Sequence, residues 1–129
     1  KYLYDNTEIS IKKLPFNYSV INFINKYSER YSHIILISGS YYKYVNSVAN
    51  YLDIFDSSIG TSMSINMISS NKTDYLKNHF DNFVFDYIGD SKKDIPIWEQ
   101  SRKAFVVNRK NITKHLNHID YEIIPYHDS

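Results

Sequence analysis

Three short apolar runs constrain the fold of this chain more than any other feature. "HIILIS" (33–38), "FVFDYIG" (83–89) and "KAFVV" (103–107) are each of strand length, and their near-continuous apolar character is that of strands covered on both faces. Between them, apolar residues recur at helical spacing. Val20, Ile21, Phe23, Ile24 and Tyr27 form one stripe behind Asn17, whose side chain can cap the first free amides. Tyr44, Val45, Val48, Ala49 and Leu52 form a second stripe over about Tyr41 to Leu52. Further helices are expected over Lys72 to Phe80 and Asp94 to Ser101. "DIFDSSIGTS" reads as a loop with a short strand, and the tail "NITKHLNHIDYEIIP" as a short helix and a final strand. Strand and helix alternating in this way imply an α/β fold with a mainly parallel sheet and right-handed crossovers.

The 129 residues make one domain the default. With 15 Lys+Arg against 14 Asp+Glu, no global field draws the chain to nucleic acid or to anionic lipid. The absence of cysteine excludes disulfides, thiolate metal sites and thiol nucleophiles, and fits an intracellular, cytoplasmic chain. No apolar run approaches the roughly 18 residues of a membrane span. The five histidines do not cluster at zinc-ligand spacing, and no glycine-rich phosphate loop occurs.

In a parallel sheet, ligands gather beyond the carboxyl ends of the strands. Past "HIILIS" that rule selects Ser38 and Ser40; past "FVFDYIG" it selects Asp90, Ser91 and Asp94. Gly89 lets the backbone turn sharply out of the strand, and Asp94 follows Asp90 by one helical turn. Paired carboxylates suit Mg²⁺, which takes hard oxygen ligands and retains waters and phosphate oxygens. Equally, either aspartate can cap the helix that carries "IPIW". Spacing alone leaves both readings open.

"FDYIGDSKKDIPIWEQSRKAFVVN" resembles the fourth motif of the haloacid dehalogenase (HAD) superfamily, and more narrowly the HAD-like domain fused to UbiA-type prenyltransferases. The likeness continues in order along almost the whole chain. "LPFN" precedes the first helix, "HIILISGS" resembles the second motif, "NYLDIFDSSIGTS" the following helix and strand, and "NKTDYLKNHF" the third motif. The resemblance implies a three-layer Rossmannoid fold and a Mg²⁺-dependent phosphatase or phosphotransferase acting on a phosphorylated small molecule through an aspartyl-phosphate. Residue by residue, it implies that Ser38 hydrogen-bonds the transferring phosphoryl group with the Gly39 amide beside it, and that Lys72 balances phosphate and nucleophile. Asp90 would ligate Mg²⁺, and Asp94 would hold a metal-bound water or support that ligand. It also implies possible fusion to, or association with, a membrane prenyltransferase at the cytoplasmic face of the membrane.

One part of the family pattern is missing. The first motif, of the type DxDG(T/V), supplies the nucleophile and the general acid–base, and no string here fits it. Taking Asp5 as nucleophile puts Thr7 at the acid–base position and Glu8 where glycine is usual. Residues 1–14 are therefore read as the remnant of a small cap or linker, and 15–129 as a partial HAD-like core whose nucleophile strand lies upstream. That strand is normally the central one, between those ending at Ser38 and Gly89. The expectation is that this chain alone is inactive. The competing expectation is a HAD-like domain that binds or regulates without catalysing. A receiver-like domain fits less well, because its early acidic pair is missing and its lysine follows a later strand.

Overall fold

The computed structural model describes residues 17–63, 67, 69–79, 84–107 and 112–125. The amino-terminal segment read as a cap remnant, with Asp5, lies outside the described residues. The chain divides into two compact units, one within Lys1–Ile68 and one within Ser69–Asp128.

The first unit opens with helix α1 (Tyr18–Tyr27). Asn17 stands in extended backbone and accepts a hydrogen bond from the Val20 amide at 3.2 Å, so the expected cap forms. Strand β1 (Ile35–Tyr41), helix α2 (Tyr42–Leu52) and strand β2 (Ser57–Thr61) then make a βαβ unit in which β1 and β2 run parallel. Val45, Val48 and Ala49 are the buried stripe of α2, and the helix packs on both strands. It stops at Asp53, whose backbone turns left-handed at φ 54° while its amide bonds the Ala49 carbonyl at 2.9 Å.

Strand β1 departs from expectation in two ways. It does not end at Ser38 but continues to Tyr41, with an irregular step in its register between Ile37 and Tyr41. Within that step the Ser38 hydroxyl accepts from the Ser40 amide at 3.1 Å. Nor is β1 covered on both faces. It is half-buried at every residue except the exposed Gly39, and β2 is its one strand neighbour among the described residues.

The second unit holds helix α3 (Ser69–His79), strand β3 (Asp86–Gly89), the short helix α4 (Ile95–Trp98), strand β4 (Lys103–Val107) and strand β5 (Tyr121–Ile124). The three strands are parallel in the order β3-β4-β5. Strand β4, in the middle, meets the expectation of full cover: Ala104, Phe105, Val106 and Val107 are all buried. Trp98, Ala104, Val106, Ile112 and Leu116 form the core, with Tyr87, Ile95 and Ile119 packed against it. The fully buried Trp98 donates its indole N–H to the Tyr87 carbonyl at 3.1 Å, fastening α4 to β3.

The helix expected over Asp94–Ser101 is shorter, because the chain tightens at both ends. A 3-10 turn (Lys92–Asp94) precedes α4. Past Trp98, the Gln100 and Ser101 amides bond carbonyls three residues back, and the Ser101 hydroxyl takes the Trp98 carbonyl at 2.7 Å. Helices alternating with parallel strands make this an α/β protein. No helix among the described residues is long and apolar enough to cross a membrane.

Gly60 lies where β2 meets the start of α2. A Cβ there would stand 2.6 Å from the Tyr42 Cα and 2.8 Å from the Ser40 carbonyl oxygen. Backbone cannot yield as a side chain can, so Gly60→Ala is expected to cost about 1–3 kcal/mol. Urea unfolding checks this, and an unchanged midpoint would show that the approach is looser than these distances.

Candidate functional site

The acids singled out in the sequence stand at the carboxyl end of β3, and one carboxylate organises the turn there. Asp94 Oδ2 accepts from the Asp90 amide at 3.0 Å and from the Ser91 amide at 3.1 Å. Ser91 completes a capping box by accepting from the Lys93 amide at 3.0 Å. Asp94 is thus the acid that satisfies the amides leaving the strand. The cap reading applies to it, and a metal would find its Oδ2 already engaged by two donors.

Gly89 is required by that carboxylate. A Cβ on Gly89 would lie 2.5 Å from Asp94 Oδ2 and 2.6 Å from its Cγ. The side chain that β3 omits at this position is replaced by the acid of the following turn. The glycine is there for close approach, since its φ is not positive.

The other carboxylate oxygen faces Tyr87, a residue the sequence reading passed over. Tyr87 precedes Gly89 by two positions in a strand, so both lie on the same sheet face. The Tyr87 hydroxyl donates to Asp94 Oδ1 at 3.1 Å. It accepts from Lys72 Nζ on α3 at 3.4 Å, a long bond. Lys72, Tyr87, Asp94 and the Asp90–Ser91 amides therefore form one continuous polar chain within the second unit.

Electrostatics follow from burial. Burial pushes the Tyr87 phenol well above its usual range; the adjoining Asp94 carboxylate, its hydrogen bond, and then the Asp90 charge add to the effect. Burial lowers the Lys72 ammonium, and Asp94 partly offsets it. Asp90 itself is half-buried at the mouth of the turn.

Ser38 and Gly39 belong to the first unit. The Ser38 hydroxyl is engaged with the Ser40 amide, and Gly39 is exposed. Lys72, Asp90 and Asp94 come together in the second unit, with Tyr87 as the residue that joins them. No group of three or more His, Cys, Asp or Glu side chains arranged to hold a metal ion occurs among the described residues. The donor set at the turn is the half-buried carboxylate of Asp90 and that of Asp94, whose oxygens hold the Asp90 and Ser91 amides and the Tyr87 hydroxyl. Mg²⁺ accepts one or two protein carboxylates when waters and phosphate oxygens complete its octahedron, so these residues fit that ion only as part of a shared shell.

Beyond its α/β class, the chain has a measurable likeness to one bacterial protein. It is 29% identical over 95 residues to the uncharacterized protein y4nM of Sinorhizobium fredii, a stretch that covers 73% of this chain and 18% of that protein. The chain thus spans under a fifth of the length of the relative it matches. No family model matches the sequence, and no solved structure matches it.

Two outcomes test this geometry. Gly89→Ala should cost about 1–3 kcal/mol through the clash with Asp94, and Asp94→Ala a similar amount through the amides it leaves unsatisfied. In the Asp94→Ala background, Gly89→Ala should cost less than in the unaltered chain, because the carboxylate is gone and only the Cβ of residue 94, 2.9 Å away, still stands over the added methyl. Strict additivity in a urea-unfolding cycle would mean that Asp94 does not fill the space over Gly89. The second outcome concerns pH. A phenol raised from 10.0 contributes stability that is complete below that pH and is lost as pH climbs through the folded-state value. Lys72, lowered from 10.5, has the opposite sign, its contribution rising with pH up to that value. Above pH 10.5 the Tyr87 loss prevails, so the alkaline fall in stability should be shallower in Tyr87→Phe than in the unaltered chain. Parallel curves would mean that Tyr87 ionises like an exposed phenol.

Proposed function

We propose that this chain is the greater part of a HAD-type phosphoryl-transfer domain, Mg²⁺-dependent in its intact form and acting on a phosphorylated small molecule. The observation that carries the proposal is the glycine-turn-acid arrangement after β3. Asp94 rests in the space left by Gly89 and holds the Asp90 turn, while a half-buried lysine from the preceding helix is tied to the same carboxylate through Tyr87. Phosphoryl transfer depends on positioning and on charge neutralisation, and this arrangement supplies both.

In this proposal Lys72 balances the charge of the phosphoryl oxygens, while the phosphate-binding roles of Ser38 and the Gly39 amide rest on the resemblance alone. Asp90 ligates Mg²⁺, which would neutralise further phosphoryl charge when bound. Asp94 keeps the Asp90 backbone fixed from behind. The attacking carboxylate comes from a first-motif strand that this sequence does not contain. Its oxygen forms a bond to phosphorus as the bond to the departing alcohol breaks, and water then releases orthophosphate. Support for a HAD-like Rossmannoid layout comes from the strand pairing. Both ladders are parallel, β1 with β2 and β3 with β4 and β5, as that layout requires. Association with a membrane prenyltransferase belongs to the same proposal and rests on the resemblance alone.

The test is calorimetric titration of Mg²⁺ with orthovanadate present, on the chain and on Asp90→Asn, beside a phosphatase assay. Binding by the chain, weakened roughly tenfold or more in the variant, without turnover of an aryl phosphate, is the expected result. Turnover by these 129 residues would refute the missing nucleophile. If the chain bound but stayed inactive after a first-motif strand was restored, the domain would be a binding module.

A further inference from the structure

Tyr87 performs a task that neither the acids nor the lysine can perform for themselves. The direction of its hydrogen bonds is forced: an ionised carboxylate only accepts and an ammonium only donates. The phenol therefore gives its proton to Asp94 Oδ1 at 3.1 Å and offers a lone pair to Lys72 Nζ at 3.4 Å. It stands as a neutral spacer between two opposite charges. Without it, a half-buried ammonium and a carboxylate this close would pair directly, and the lysine would be spent on the protein's own acid.

The spacer leaves the ammonium partly unused. Of its three N–H groups, one reaches Tyr87, its one hydrogen bond among the described residues, and Asp94 acts on it through charge alone. A half-buried cation with spare donors favours an anion, and three-oxygen phosphoryl groups accept such donors well. The ring is held firmly enough to act as a fixed post. It packs edge-on against the buried Trp98, with centroids 6.5 Å apart and planes at 73°, and its own carbonyl is fastened by the Trp98 indole.

We infer that Tyr87 is the positioning residue of this site: its hydroxyl holds Lys72 away from Asp94, so that the ammonium stays available to an oxyanion. This rests on the phosphoryl-transfer proposal and deepens it by saying what keeps the cation open. Tyr87 does not touch the substrate; it acts through Lys72.

The experiment is a double-mutant cycle read by orthophosphate binding to the full 129-residue chain, with Lys72→Ala, Tyr87→Phe and the pair together. Lys72→Ala is expected to weaken binding roughly 10- to 100-fold, as for a lost charged hydrogen bond, and Tyr87→Phe roughly 2- to 10-fold. The pair should bind no more weakly than Lys72→Ala alone, because Tyr87 works only through that lysine. A purely structural tyrosine would give additive losses, which overturns the inference. So would Tyr87→Phe binding like the unaltered chain while Lys72→Ala binds weakly, in which case the phosphoryl proposal stands. Phosphate affinity indifferent to Lys72→Ala, or absent from the unaltered chain, defeats the phosphoryl proposal and the inference with it. If Tyr87→Phe fails to fold, the unaltered chain still decides. The Tyr87 ring carbon that bears the hydroxyl, observed by carbon-13 NMR, must shift along the phosphate titration, and a stationary signal overturns the inference.

Discussion

The structure of the second unit depends on one carboxylate resting where a side chain is missing. A strand that ends at a sheet edge has to release its last amides from the ladder without leaving them unpaired. Here Asp94 reaches back over Gly89 and takes the amides of Asp90 and Ser91 on a single oxygen. The arrangement needs both the absence of a Cβ at Gly89 and an acid one turn downstream. Neither residue achieves it alone. Once made, it fixes the path of the turn, the start of the helical segment that carries Trp98, and the backbone of Asp90.

Packing carries that local order into the core. Trp98 is completely buried against Ala104, Val106, Ile112 and Leu116, and its indole proton goes to the Tyr87 carbonyl. The same residue therefore joins the short helix to the strand on its apolar side, while the Tyr87 hydroxyl joins that strand to Lys72 and Asp94 on its polar side. Tyr87 belongs to both networks. A ring of this kind, apolar in its body and polar at its tip, suits a position where a core meets a charged turn.

How much of this could be read from sequence depends on whether the deciding interaction is local in pattern. Strand β4 was plain in "KAFVV", because its central place demands apolar residues throughout. The Asn17 cap was plain because the residue type and the periodic run behind it carry the same message. The irregular step in β1 between Ile37 and Tyr41 was hidden, since nothing in hydrophobic patterning records a shift of pairing register. The half-buried state of β1 was hidden as well, because its apolar run implies a second neighbour that the described residues do not supply. Tyr87 was visible only as one aromatic among 13 tyrosines. Strand periodicity put it on the face of Gly89, but only the fold shows Lys72 of α3 arriving at its hydroxyl. The break of the sheet into two ladders also lay beyond periodicity, which describes each strand separately.

The choice between a helix cap and a metal-site acid, which spacing left open, dissolves once the oxygens of Asp94 are counted. One oxygen holds two backbone amides and the other accepts from Tyr87, so both oxygens are engaged within the fold. A carboxylate held this way loses no freedom when a ligand arrives. The cost of ordering it was met during folding. Asp90 is in the complementary position. Its amide is held by Asp94, and the residue is half-buried. Two aspartates four residues apart thus differ in role: Asp94 holds the turn, and in the proposed function Asp90 is the one that would meet the cation.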